Sequence, residues 1–91
     1  MEKAMTLSFP NTSRTYNAVQ RTVRFTGYFK IFEITFDLDQ AALMRFSRNS
    51  AADEASLLDA FDAHRTQIEA AANTVYWRTR KDYCVLSARD F

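Results

Sequence analysis

Two kinds of hydrophobic periodicity in one short chain predict an α+β fold, an antiparallel sheet of three to four strands with two helices packed on one face. The first half alternates with period two, as in "VRFTGYFKIFEITF", Val23 to Phe36. The second half repeats apolar residues at spacings of three, four and seven, through Leu57, Phe61, Ile68, Ala72 and Val75. A last apolar run, "YCVLS", returns to strand-like composition.

Each element follows from local chemistry. Residues 1–4 precede the first patterned positions and are expected to fray, which leaves 5–91 as one compact domain; Met1 and Met5 are both possible starts. "TLSF" (Thr6 to Phe9) reads as a short strand closed by Pro10, and "NTSRTYN" after it as a loop. A hairpin comes next. Val19, Val23 and Phe25 share one face, with Thr22, Arg24 and Thr26 on the other. Its turn is placed at Thr26 and Gly27, because the only glycine can take positive φ without a Cβ penalty. The alternation resumes with Phe32, Ile34 and Phe36.

Asp37 is expected to end that strand and cap a short helix, with Gln40 completing a capping box. This helix runs to about Ser47 and offers Leu43 and Phe46 to the core. After the polar break "SRNS", Ser50 is placed to cap a second helix from about Asp53 to about Arg78. Acids gather at its start (Asp53, Glu54, Asp59) and bases at its end (Arg78, Arg80, Lys81), both in accord with the helix dipole. Lys81 and Asp82 turn the chain into the last strand, Tyr83 to Ser87. The expected core is Phe25, Phe32, Ile34, Phe36, Phe46, Leu57, Phe61, Ile68, Val75 and Leu86.

Composition narrows the function classes. Apolar residues make up 47% of the 91, enough for one modest core, and the 25% charged share is that of an ordinary folded domain. A net charge of +1 provides no bulk attraction to nucleic acid or anionic membrane. A single cysteine rules out an internal disulfide, and with no charged-then-apolar leader the chain reads as cytoplasmic. "AALM" is far too short an apolar run to span a bilayer.

His64 and Arg65 form the first candidate pair, functional or structural. At about 100° per residue, Phe61, Ala72 and Val75 lie within about 40° of Ile68, His64 about 40° to one side and Arg65 about 60° to the other. Both are border residues of the buried stripe, where a His donates a ring N–H to a neighbouring oxygen and an Arg lays its stem over the core. The structural reading is favoured, and it expects His64→Gln or His64→Phe to move stability more than any activity.

Catalysis has less to rest on. Cys84 sits in an apparent strand between Tyr83 and Val85, where burial outweighs reactivity, and nothing in the spacing brings it to His64. One His and one Cys fall short of a metal ligand set, so neither catalytic nor metal-binding residues are assigned and no cofactor is expected. Asp37 and Asp39 are explained as helix caps, Asp59 and Asp62 as a solvated helix face, and a lone glycine cannot build a phosphate loop.

Trp77, Arg78, Arg80 and Lys81 form the second candidate, a surface for a protein partner or for nucleic acid. Basic groups beside Trp77 and Tyr83, with Arg14, Arg21 and Arg24 elsewhere, suit a phosphate backbone with stacked bases. The helix end already accounts for the first three cations, and the acids of the second half oppose a broad basic field. Trp77 lies about 180° from Ile68, so it either points outward to a partner or folds back under the sheet where the helix unwinds.

"FPNTSRTYNAVQRTVRF", "FDAHRTQIEAAA" and the closing "SARDF" together resemble the small bacterial family known as domain of unknown function 1488, over nearly the whole chain from Met5 onward. The most specific part is "AFDAHRTQIE", with Phe61, His64, Arg65, Ile68 and Glu69 in register. This chain has Arg48, Asn49 and Ser50 where relatives are expected to carry a glycine. The resemblance implies a compact α+β fold and makes His64 and Arg65 part of a family pattern; it implies no activity. The leading expectation is a cytoplasmic, non-catalytic interaction or regulatory module, binding a protein partner or a second copy of itself. The alternative is a weak nucleic-acid binder using the cluster at the end of the long helix.

Overall fold

The computed structural model describes residues 6–46 and 53–91. The expected fraying of residues 1–4, the choice between Met1 and Met5, the "SRNS" break with its Ser50 cap and the side chain of Phe46 lie outside the described residues.

The described chain runs β1 (Thr15–Asn17), β2 (Thr22–Phe29), β3 (Phe32–Asp39), α1 (Gln40–Phe46), α2 (Glu54–Ala63), α3 (Arg65–Thr79), β4 (Tyr83–Leu86) and a short 3-10 turn, Ala88–Asp90. The four strands lie in the order β1-β2-β3-β4. β1, β2 and β3 are antiparallel neighbours, as expected, whereas β4 pairs with β3 in parallel. That corrects the all-antiparallel reading. The chain leaves β3 at its far end and returns to the near end only after crossing the helices, and a helical crossover is what a parallel pair requires.

β2 and β3 are in register from Thr22↔Asp39 to Phe29↔Phe32. The hairpin turn is therefore Lys30–Ile31, not Thr26–Gly27, and Lys30 takes the positive φ, at 59°, that a two-residue loop demands of its first residue. Gly27 lies inside β2 with ordinary φ; an added Cβ would stand 2.6 Å from Phe9 Cε1. Its role is to leave room for a ring. Leu7 is buried, Ser8 makes an antiparallel bridge to Tyr28, and Phe9 sits 6.2 Å from the Phe25 ring. "TLSF" is thus a strap with one bridge, and the regular edge strand comes from "TYN", which was expected to be loop.

The long helix is two helices, broken at His64, where φ is −117° and ψ 22°. Side chains from all three helices (Leu43, Leu57, Phe61, Ile68, Ala72, Val75) join Val23, Phe25, Ile34, Phe36, Leu38 and Leu86 of the sheet in one core. Each of these is no more than 4% exposed. Val19 and Phe32 do not join it. Val19, 93% exposed, sits in the β1–β2 connection, and Phe32, 62% exposed, keeps the register of Ile34 and Phe36 but lies at the hairpin tip, before β4 begins to flank β3.

Candidate functional site

Because the helices cover one side of the sheet, the alternate residues of each strand form a second, helix-free face. Register places Arg24 opposite Asp37 and, on the parallel side, Val85 beside Asp37 and Tyr83 beside Thr35. Arg24 donates through Nε to Asp37 Oδ1 (2.8 Å) and through Nη2 to Oδ2 (2.9 Å). The Tyr83 hydroxyl donates to Oδ2 at 2.6 Å, and the Arg24 guanidinium lies 5.9 Å from the Tyr83 ring centre. Three strands are thereby tied together at one carboxylate that is 1% exposed.

Asp37 is therefore a strand residue and not the helix cap expected of it. Asp39 stands before α1 instead, its Oδ1 accepting from the Ala41 N–H at 3.4 Å. The hydrogen bonds from Arg24 hold the Asp37 carboxyl below the usual carboxylate range against the opposing effect of burial, with the Tyr83 hydroxyl assisting. The same contacts push Arg24 and the Tyr83 phenol up. A carboxylate so held is a poor proton acceptor near neutral pH.

At the hairpin end of the sheet's β4 edge, β4 starts opposite Thr35, while β3 continues back to Phe32. The missing strand length leaves a cleft of about 670 Å³ lined by Phe32, Ile34, Tyr76, Arg80, Tyr83 and their charged neighbours Glu33, Lys81 and Asp82. Ile34 and Tyr76 are buried and form its floor; Phe32 and Tyr83 are exposed. Arg80 caps α3 in the left-handed conformation, φ 57°, a position where a glycine would avoid about 1–2 kcal/mol of backbone cost. Its guanidinium lies 4.9 Å from the Trp77 ring centre and 5.9 Å from that of Tyr76.

The His64–Arg65 pair has structural work at the helix break. The Ala60 carbonyl accepts both the His64 backbone N–H and, at 3.1 Å, ring Nδ1, which must carry the proton because a carbonyl only accepts. A side chain competing for a ladder carbonyl is a recognised cause of helix bending. Arg65 lays its guanidinium 4.9 Å from the Phe61 ring centre and donates to Thr12 O and to Asp62 Oδ1, both at 3.0 Å. Arg14 holds the same Asp62 by two hydrogen bonds. Asp62, expected to be merely solvated, fastens the segment before β1 to the helix junction through Arg14, and the Arg14 contacts lower its pKa. Cys84 is buried; its Sγ lies within hydrogen-bond range of Lys81 O and Thr79 Oγ1.

The basic and aromatic cluster stays together only in part, with Arg80 against the Trp77 ring and Arg78 turned away. Trp77 is half-buried although α3 continues past it to Thr79: it meets Phe29 edge-on at 5.0 Å, and its Nε1 donates to Asn73 Oδ1. Arg78 points away to Asp90 at 3.3 Å, by Val85 and Ser87, while Arg80 and Lys81 line the hairpin-end cleft. Trp77 has Phe29, Tyr76 and Arg80 around its ring, which leaves it poorly placed to stack a base. Among the described residues no three His, Cys, Asp or Glu side chains are grouped so as to hold a metal ion, and no helix is long and apolar enough to cross a membrane.

Sequence reasoning missed Asp37 with Arg24 and Tyr83, and the cleft. The missing signal was the turn. Centred on Lys30–Ile31, the hairpin pairs Arg24 with Asp37; centred on Gly27, it does not. Comparison with known proteins adds one finding. A family described as "Protein of unknown function (DUF1488)" matches residues 7–86. No curated protein and no solved structure matches the chain.

Proposed function

We propose, for a chain that belongs to the DUF1488 family, that the protein is a non-catalytic interaction module, docking a partner protein on the helix-free side of its sheet. The observation that carries this reading is the distribution of exposed apolar side chains. Tyr83 (45% exposed) and Val85 (54%) lie on that face of the edge strand, and Ile31 is exposed at the adjoining hairpin tip. Exposed aromatic and aliphatic groups gathered at one side mark a partner surface more than scattered ones do. The face's carboxylate supports the same view, since Asp37 is held as the anion by Arg24 and serves as a tie between strands.

The test is capture from the host's lysate, with and without nuclease, by the parent protein and by Val85→Lys. Val85 is exposed, so the variant should keep its melting temperature. A protein caught equally from both lysates by the parent and lost by Val85→Lys is the expected result. Capture indifferent to Val85→Lys would remove this face from consideration. A catch lost on nuclease treatment would return attention to nucleic acid.

A further inference from the structure

We propose that the protein pairs with a second copy of itself through the open edge of β4, in an antiparallel register centred on Cys84. This rests on the reading of the protein as an interaction module and names the partner of its Tyr83 and Val85 surface.

The main-chain groups supply the first reason. Thr35 N–H donates to Asp82 O at 2.8 Å, and Thr35 stands level with Tyr83 in the parallel ladder. The even residues of β4 therefore turn their N–H and C=O to β3, and those of Tyr83 and Val85 point outward. β4 is the last strand in the sheet order, so among the described residues no strand lies beside that edge. Laid against itself in antiparallel, the edge sets Tyr83 opposite Val85 of the second copy, and Val85 opposite its Tyr83. Each such pair exchanges both of its N–H···O bonds.

The side chains select the occupant. β4 reads Tyr-Cys-Val-Leu, with neither the proline nor the formal charge that blunts an exposed edge. Arg78, which shares a cleft with Val85, is answered within the chain by Asp90 and does not stand as an unpaired guard. An uncharged edge with Tyr83 and Val85 exposed is matched by another of the same kind. The two-fold arrangement repeats an aromatic and β-branched cross-strand pair on the helix-free side, a favourable combination. Length agrees as well. Arg80, left-handed, turns the chain before β4 and the 3-10 turn Ala88–Asp90 follows it, so the edge suits a strand as short as itself.

The other edge of the sheet offers less. Gln40 N–H bonds Arg21 O, so Thr22 and Arg24 face β1, where Asn17 and Thr15 stand opposite them. Only Tyr16 of that three-residue strand then turns its main-chain groups outward. Asn17 folds its side chain onto the N–H groups of Val19 and Gln20. Pairing of β4 with β4 thus uses the open edge up and closes at two copies, with the helices of both on one side of a continuous sheet.

Sedimentation equilibrium of the intact protein is the test. The mass should rise with concentration from 10.5 kDa to twice that value and no further. Over the same range the Tyr83 and Val85 amides should become slow to exchange with solvent. Val85→Pro removes an N–H that points away from β3, so it takes no ladder bond from the single copy. It should abolish the doubling while keeping the melting temperature that the parent shows when dilute. Val85→Lys should also abolish it, and carries the test should the proline variant fail to fold. A mass of one copy at every concentration, growth beyond two copies, doubling indifferent to these variants or doubling that leaves both amides exchanging freely would overturn the proposal. If the parent stays single yet catches a different protein through Val85, the module reading stands and only the second copy falls.

Discussion

Asp37 shows how much one residue's meaning depends on its partners. A carboxylate taken from water needs its charge and lone pairs answered, and Arg24 and Tyr83 answer them with three hydrogen bonds. Asp37→Asn keeps the shape and gives up the charge, so it should lower stability at neutral pH by about 2 kcal/mol, the scale of hydrogen bonds to charged groups. The pH dependence has a definite sign. Because the folded-state pKa is depressed, Asp37 stabilises the protein above its unfolded pKa of about 3.9 and loses that contribution as pH falls through the still lower folded value. Melting temperatures from pH 2 to 7 should therefore show the parent and Asp37→Asn converging below about pH 4. Parallel curves over the whole range would assign the acid sensitivity to another group, of which Asp62 is the next candidate.

Elements with a strong local period were legible, and what surrounded them was not. "VRF" and "EITF" alternate so clearly that both strands of the hairpin could be read, yet the turn between them was set by the glycine. A left-handed lysine is a legitimate first turn residue but leaves no compositional mark, whereas glycine does, and Gly27 proved to answer a packing need instead. The alternation of Ile34, Phe36 and Leu38 against Thr35, Asp37 and Asp39 was already present in the sequence, and the low strand propensity of Asp hid it. "TYN" is a three-residue strand without an apolar run, recognisable only from its pairing with β2. The helical stripe through Phe61 and Ile68 was correct on both sides of His64, but a kink leaves such a stripe intact and so cannot be seen in it. The glycine offers a test at this scale. Gly27→Val should cost about 1–3 kcal/mol by forcing the Phe9 ring away, and the same change in a Phe9→Ala background should cost less. Equal costs in both backgrounds would mean the strap does not press on β2 there.

At the scale of the whole molecule, the parallel strand decides how the sheet is closed. β2 and β3 meet through a two-residue turn, so their pairing is local and needs little loop-closure entropy. β4 reaches β3 only after residues 40–82 have been crossed, and the Tyr83–Asp37 hydrogen bond spans 46 positions. Non-local pairings of this kind are formed after the local ones have reduced the search. The β2–β3 hairpin with the helix that first covers it is thus the expected nucleus, and β4 the late addition that completes both the core, through Leu86, and the tie to Asp37, through Tyr83. Leu86→Ala, at a fully buried position, should cost about 3 kcal/mol. If β4 joins after the transition state, nearly all of that loss appears in the unfolding rate, which should rise about a hundredfold while the folding rate scarcely changes. Ile34→Val, in the hairpin itself, should instead slow folding. A chevron in which Leu86→Ala depresses the folding arm as strongly as it raises the other would mean that the crossover closes early. The helix-free face would then be assembled together with the core.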